Sequence, residues 1–161
     1  MKRSSLRERE RGTQIVEMAV ALPLLLFLVL VVSEGAGMIR AHQVLNNAAR
    51  EGARLSIMLE NKDPDPTDND TTVTDAIKDQ VVAYAQANGL VASRGVNLTT
   101  ADVTINQCVQ QPTPGGAIWF ASRVVVQTNY QLRYLPRLPW FNVPNGVPIA
   151  GRAEFVNFYG C

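Results

Sequence analysis

The chain has 161 residues, a net charge of +1 and a hydrophobic fraction of 47%. That leaves room for one domain plus an anchor. The near-neutral balance gives no basic surface of the kind nucleic acid requires, and a single histidine with two distant cysteines excludes the common zinc patterns.

Residues 1–12 read MKRSSLRERERG, in which Lys2, Arg3, Arg7, Arg9 and Arg11 outnumber Glu8 and Glu10. An apolar run, IVEMAVALPLLLFLVLVV, follows at residues 15–32. Its length of about 18 residues just meets what a helix needs to cross a bilayer. The positive-inside rule then keeps residues 1–12 in the cytoplasm and sends the rest outside. Pro23 lies within the run; a membrane helix tolerates it where a soluble helix usually breaks. Glu17 does not suit a plain anchor. A carboxylate near the cytoplasmic end of a span is costly and marks a functional group by default. If the chain is cut between Gly12 and Thr13, the new α-amino group lies one helical turn from Glu17. That amine, from the same subunit or a neighbour, supplies the positive charge the glutamate lacks.

The pattern Gly12-Thr13-Gln14-Ile15-Val16-Glu17, at the border of a basic leader and an apolar helix, resembles a type IV prepilin processing site. Glycine suits the last leader position because it lets the backbone lie extended in a protease cleft. Residues 11–54 as a whole resemble the TadE-like family. The resemblance is carried by Glu17 with the Ala-Val-Ala-Leu-Pro-Leu-Leu-Leu that follows, by Glu34-Gly35, and by Asn47-Ala48-Ala49-Arg50-Glu51-Gly52-Ala53-Arg54. Met18 departs from the family, which usually carries Phe or Tyr there. The resemblance implies a minor pilin or pseudopilin of the tight-adherence (Flp) branch of the type IV pilus superfamily. It implies cleavage by a prepilin peptidase between Gly12 and Thr13, with the apolar helix left attached. The implied partners are that peptidase, other pilins, the inner-membrane assembly platform and the membrane itself. The implied location is the bacterial inner membrane, single-pass, with the following domain in the periplasm or outside, either in the platform or in a surface pilus.

Two other readings of the N-terminus stay open at this point. In an uncleaved signal anchor, Glu17 is incidental and snorkels to the interface. An ordinary secretory signal would be cut near Gly35-Ala36-Gly37, although the apolar region exceeds the usual 7–15 residues and Glu34 sits beside that cut.

Beyond the apolar run the helical signal continues to about residue 59. Ala36, Ile39, Leu45, Ala49, Gly52 and Ser56 can share a face of mostly small residues, which permits close approach to a neighbouring subunit or to the chain's own sheet. Arg40, Arg50, Glu51 and Arg54 occupy other faces. His42 has no cysteine, histidine or acid at ligand spacing and reads as a surface or interface residue. Residues 61–70, NKDPDPTDND, form an acidic loop. It lacks the glycine and terminal glutamate of an EF-hand, so a solvated loop with no metal is expected.

A second helix is expected from Thr71 or Thr72 to about Asn88, burying Ala76, Ile77, Gln80, Val81 and Tyr84 and stopped by Asn88-Gly89. Three strands are expected at residues 102–109, 123–134 and 151–159. The second carries the clearest alternation, at Val124, Val126, Thr128, Tyr130 and Leu132. Residues 111–116 read as a turn. Residues 135–148, rich in proline and containing Trp140, read as a loop, within which Leu135-Pro136-Arg137-Leu138-Pro139-Trp140-Phe141 either covers one end of the core or forms a contact surface.

The expected architecture is α+β and type IV pilin-like. Residues 1–12 form a basic leader, and residues 13–59 a long helix that spans the membrane in its first half. Residues 60–71 form the loop, and residues 72–161 a domain with one helix and a small antiparallel sheet of about three strands. In an exported domain Cys108 and Cys161 are expected to pair and clamp the last strand. No catalytic, phosphate-binding or dinucleotide constellation is present, so neither an enzyme nor a cofactor is expected. The leading function is a structural assembly subunit of a pilus. The alternative is a membrane-tethered or pilus-borne adhesin that contacts a surface or ligand.

Overall fold

A computed structural model describes residues 4–60, 71–112, 118–132 and 146–157. Helix α1 spans Ser4–Glu60 and α2 spans Thr71–Ala87. Strands β1 (Val103–Pro112), β2 (Ile118–Tyr130) and β3 (Val147–Asn157) follow. The sheet is antiparallel in the order β1-β2-β3. The architecture is α+β, as expected. The acidic loop, the tip of the turn, Trp140 and Cys161 lie outside the described residues.

At 57 residues, α1 is about 85 Å long at the standard helical rise. Its two halves have opposite surroundings. Through the apolar run its side chains are exposed; from Glu34 onward one stripe is buried. Ala41, Leu45, Ala48, Ala49, Gly52, Ala53 and Ser56 form that stripe, at the three- and four-residue intervals that put side chains on one helical face. Four of the six residues expected on this face are there. Ala36 and Ile39 are not: both are exposed. A difference of one or two residues rotates a helical position by 100–200°, and only the position of the sheet fixes which azimuth is inside.

The small residues serve close approach. A Cβ at Gly52 would strike Cγ2 of Val81 on α2 and lie 3.4 Å from Cγ1 of Val124 on β2, so α1, α2 and the central strand meet there. A Cβ at Gly151 on β3 would collide with the backbone of Leu45 and Asn46 on α1. Beside that contact, the Arg152 backbone N–H donates to Oδ1 of Asn46 at 3.2 Å. A helix side chain thus satisfies a backbone group of the edge strand, one of the ways an edge is protected. Helix α2 buries Ile77, Val81 and Ala85, with Val73, Val82 and Tyr84 packed partly against the core. Ala76 and Gln80, expected inside, are exposed; the four-residue row through Ile77 and Val81 continues to Ala85 instead.

In β2 the residues Ser122, Val124, Val126, Thr128 and Tyr130 are buried, the alternation anticipated from the sequence. Four boundaries shift. Strand β2 begins before residue 123 and ends at Tyr130. Strand β3 begins at Val147 and includes Pro148, paired with Asn129; an edge strand tolerates a proline that a central strand would not. Strand β1 runs on to Pro112, through an irregularity between Asn106 and Val109 where three steps on β1 oppose two on β2. That is a β-bulge, and the backbone of Cys108 lies in it. Before the start of β1, Val96 forms a single bridge with Tyr130, and the Gln131 N–H donates to the Gly95 carbonyl at 2.8 Å.

Candidate functional site

The candidate site is the first half of α1 and its entry into the domain. Helix α1 begins at Ser4 and continues through Gly12 and Thr13 without interruption. The bond expected to be cut therefore lies inside a helix. Proteases bind extended backbone, so cutting requires local unwinding. Glycine lowers helix stability by about 1 kcal/mol relative to alanine, which makes Gly12 a favourable place to unwind.

Glu17 lies four residues after Thr13, on the same helical face one turn further along. It is exposed and has no hydrogen bond or ion pair among the described residues. The structure places the two sequence-predicted positions next to each other. Among the described residues the domain supplies no partner to Glu17.

Around Glu17 the surface is apolar. A window of 18 residues in α1 reaches a mean hydropathy of 2.9, and none of it is buried against the rest of the chain. Val20 and Leu24 are each 70% exposed. A core helix of a water-soluble protein would bury such a window; this one is apolar on every side and covered on none. Contiguous apolar exposure on that scale calls for lipid or other helices. This is the composition and exposure of a membrane anchor.

The domain begins at once, with no spacer. Glu34, two residues past the apolar run, is only 2% exposed. One turn later the Tyr130 hydroxyl lies against α1 at Gly37. Neither Glu34 nor Tyr130 is without an interaction partner. Sequence reasoning gave Glu34 no structural role. The available signal was an acid at the end of an apolar run in a stretch with two glycines, Gly35 and Gly37.

His42 is exposed. Among the described residues no group of three or more His, Cys, Asp or Glu is placed to hold a metal. The backbone of Cys108 is set by β1, but Cys161 lies outside the described residues, and with it the expected pairing.

Comparison with known families bears on this same segment. Residues 12–54 match the family described as TadE-like protein. The chain carries a TadE-like segment. That segment begins at Gly12, contains Glu17, the apolar window and Glu34, and ends at Arg54, within the buried stripe of α1. Neither the curated proteins nor the solved structures yield a match. Helix α2 and the sheet lie beyond the TadE-like segment.

Proposed function

We propose that the chain is a minor pilin or pseudopilin of a Tad (Flp) pilus, matured by a prepilin peptidase that cuts between Gly12 and Thr13. Residues from Thr13 through the apolar run hold it in the bacterial inner membrane, and the α+β domain stands on the periplasmic side. The observation that carries this reading is the uncovered apolar half of α1, joined directly to a folded domain and preceded by the Gly12–Glu17 spacing. The protein acts by assembly with other pilins and the inner-membrane platform, and not as an enzyme.

Hydrolysis of the Gly12–Thr13 bond adds one water and leaves a carboxylate on Gly12 and an ammonium on Thr13. It also leaves the N–H groups of the new first turn without carbonyl partners. Both changes put positive charge beside Glu17, the second through the helix dipole. A carboxylate that is costly in an uncut anchor becomes one half of an ion pair, within the subunit or across to a neighbour. The peptidase step and helix packing are then coupled by charge.

One observation favours an adhesive role for the same domain. The face of the sheet away from α1 carries Thr104, Arg123, Gln127, Arg152 and Glu154, and no described helix covers it. A sheet face that presents these polar side chains beside Val125 and Val156 is a surface for a ligand.

N-terminal sequencing of the protein isolated from cells tests the main reading. The expected first residue is Thr13. A start at Met1 makes it an uncleaved anchor, and a start near Met38 makes it a secreted product; either result ends the pilin proposal.

A further inference from the structure

We propose that the cleft where α1 enters the domain binds the phosphate of a phospholipid headgroup, with Arg40 as its cationic partner. The inference rests on the membrane-anchored reading above. The cleft holds about 270 Å³ and is lined by Ser33, Gly37 and Arg40 from α1, by Asn88 and Leu90 at the end of α2, and by Tyr130 from β2, among others.

Its height above the bilayer follows from helix geometry. The apolar run ends at Val32, so Ser33 is the first residue outside the hydrocarbon. The Cα of Arg40 is about 12 Å beyond that of Val32 along α1. Helical side chains lean toward the N-terminus and cover the turn before their own Cα. That brings the guanidinium down by about 5 Å, to roughly 7 Å above the hydrocarbon. The headgroup layer on each side of a bilayer is about 5–8 Å thick. The Arg40 guanidinium is thus within reach of lipid phosphates.

The surroundings suit an anion. Arg40 is exposed and has no hydrogen bond or ion pair among the described residues. Glu34, the nearest acid along α1, is buried and does not line the cleft. Ser33 adds a hydroxyl donor on the membrane side. Asn88 uses one amide N–H on the Tyr84 carbonyl at 2.8 Å and retains a second. A guanidinium fork grips phosphate oxygens in pairs, which an ammonium cannot do.

The test is native mass spectrometry of the full chain, extracted from phosphatidylglycerol-containing vesicles in mild detergent. Wild type is expected to retain phosphatidylglycerol. Arg40→Gln should retain about tenfold less, the loss expected for one charge-assisted contact, and Arg40→Lys should fall between. Arg50→Gln, which removes an exposed cation on the same helix outside the cleft, should match wild type. Equal retention by wild type and Arg40→Gln overturns the proposal, and so does an equal loss in Arg50→Gln, which would indicate bulk charge attraction. Displacement of the lipid by millimolar inorganic phosphate, with the same dependence on Arg40, would reassign the site to a free anion and overturn the lipid source. Flotation with vesicles separates the two levels of failure. A chain that does not float defeats the membrane reading; one that floats but retains no lipid at Arg40 defeats this proposal alone.

Discussion

Glu17 and Glu34 are two carboxylates on one helix with opposite surroundings. Glu17 is exposed along an apolar window and has no described partner; Glu34 is buried and partnered. If Glu17 pairs with the Thr13 amine in an assembly, Glu17→Ala leaves peptidase cleavage largely intact and lowers incorporation into pili. Immunoblots of sheared fibres against the membrane fraction measure this, and unchanged incorporation rules out the ion pair. Surface charges in the domain carry much less. Arg123 and Glu154 form an ion pair across β2 and β3, but their side chains are 37% and 45% exposed, so solvent screens the attraction. Glu154→Gln is expected to change the unfolding free energy by less than about 1 kcal/mol, as read from urea denaturation.

Among the helices and strands, three glycines have different roles, and the structure ranks them. Nothing lies within 4 Å of a Cβ added at Gly35 on α1. Gly35→Ala should therefore stabilise the helix, by up to about 1 kcal/mol. At Gly52 the obstacle is a valine side chain that can shift, so Gly52→Ala should cost about 1–3 kcal/mol. At Gly151 the obstacle is the backbone of α1 itself, which cannot give way locally. Gly151→Ala should cost more than Gly52→Ala and separate α1 from β3. Thermal unfolding of the three variants checks the order; a Gly151→Ala protein as stable as wild type would mean that α1 and β3 are not in contact. These positions also mark the boundary of what the sequence discloses. The alternation in β2 was legible because it is local: Val124, Val126, Thr128 and Tyr130 declare an inner face by themselves. The start of β3 was not, because Pro148 reads as a loop residue until it is known that the strand is an edge. The bulge at Cys108 and the contact of Gly151 with Leu45 depend on partners far along the chain, and no local pattern encodes them. Ala36 and Ile39 were misplaced for the same reason: small or apolar character names a helix face only once the sheet's direction is known.

For the whole molecule, the important fact is continuity. One helix begins at Ser4, passes Gly12 and Thr13, runs through the apolar window and becomes the spine of the domain. The TadE-like segment covers that spine and stops before α2 and the sheet. Gly12, Thr13 and Glu17 could be singled out from the sequence because they share one short stretch at the border of a basic segment and an apolar run, whereas the Arg40 cleft needs α2 and β2 folded against α1 to exist. Continuity also means that motion or tilt of the anchor is passed rigidly to the domain, because no flexible linker separates Val32 from the buried Glu34. The anchor can be tested without disturbing the domain. Leu24 is 70% exposed and lies near the middle of the apolar run, while Ile39 is 61% exposed but beyond it. An arginine at the centre of a span costs about 2.5–3.5 kcal/mol on insertion scales; an arginine in water costs almost nothing. Leu24→Arg should therefore reduce the fraction of full-length protein that resists alkaline extraction from membranes, and Ile39→Arg should leave it unchanged. Neither side chain touches the core, so both variants should keep the folded domain, as judged by protease resistance. If the two arginines act alike, the apolar half of α1 is covered by protein and does not cross a bilayer.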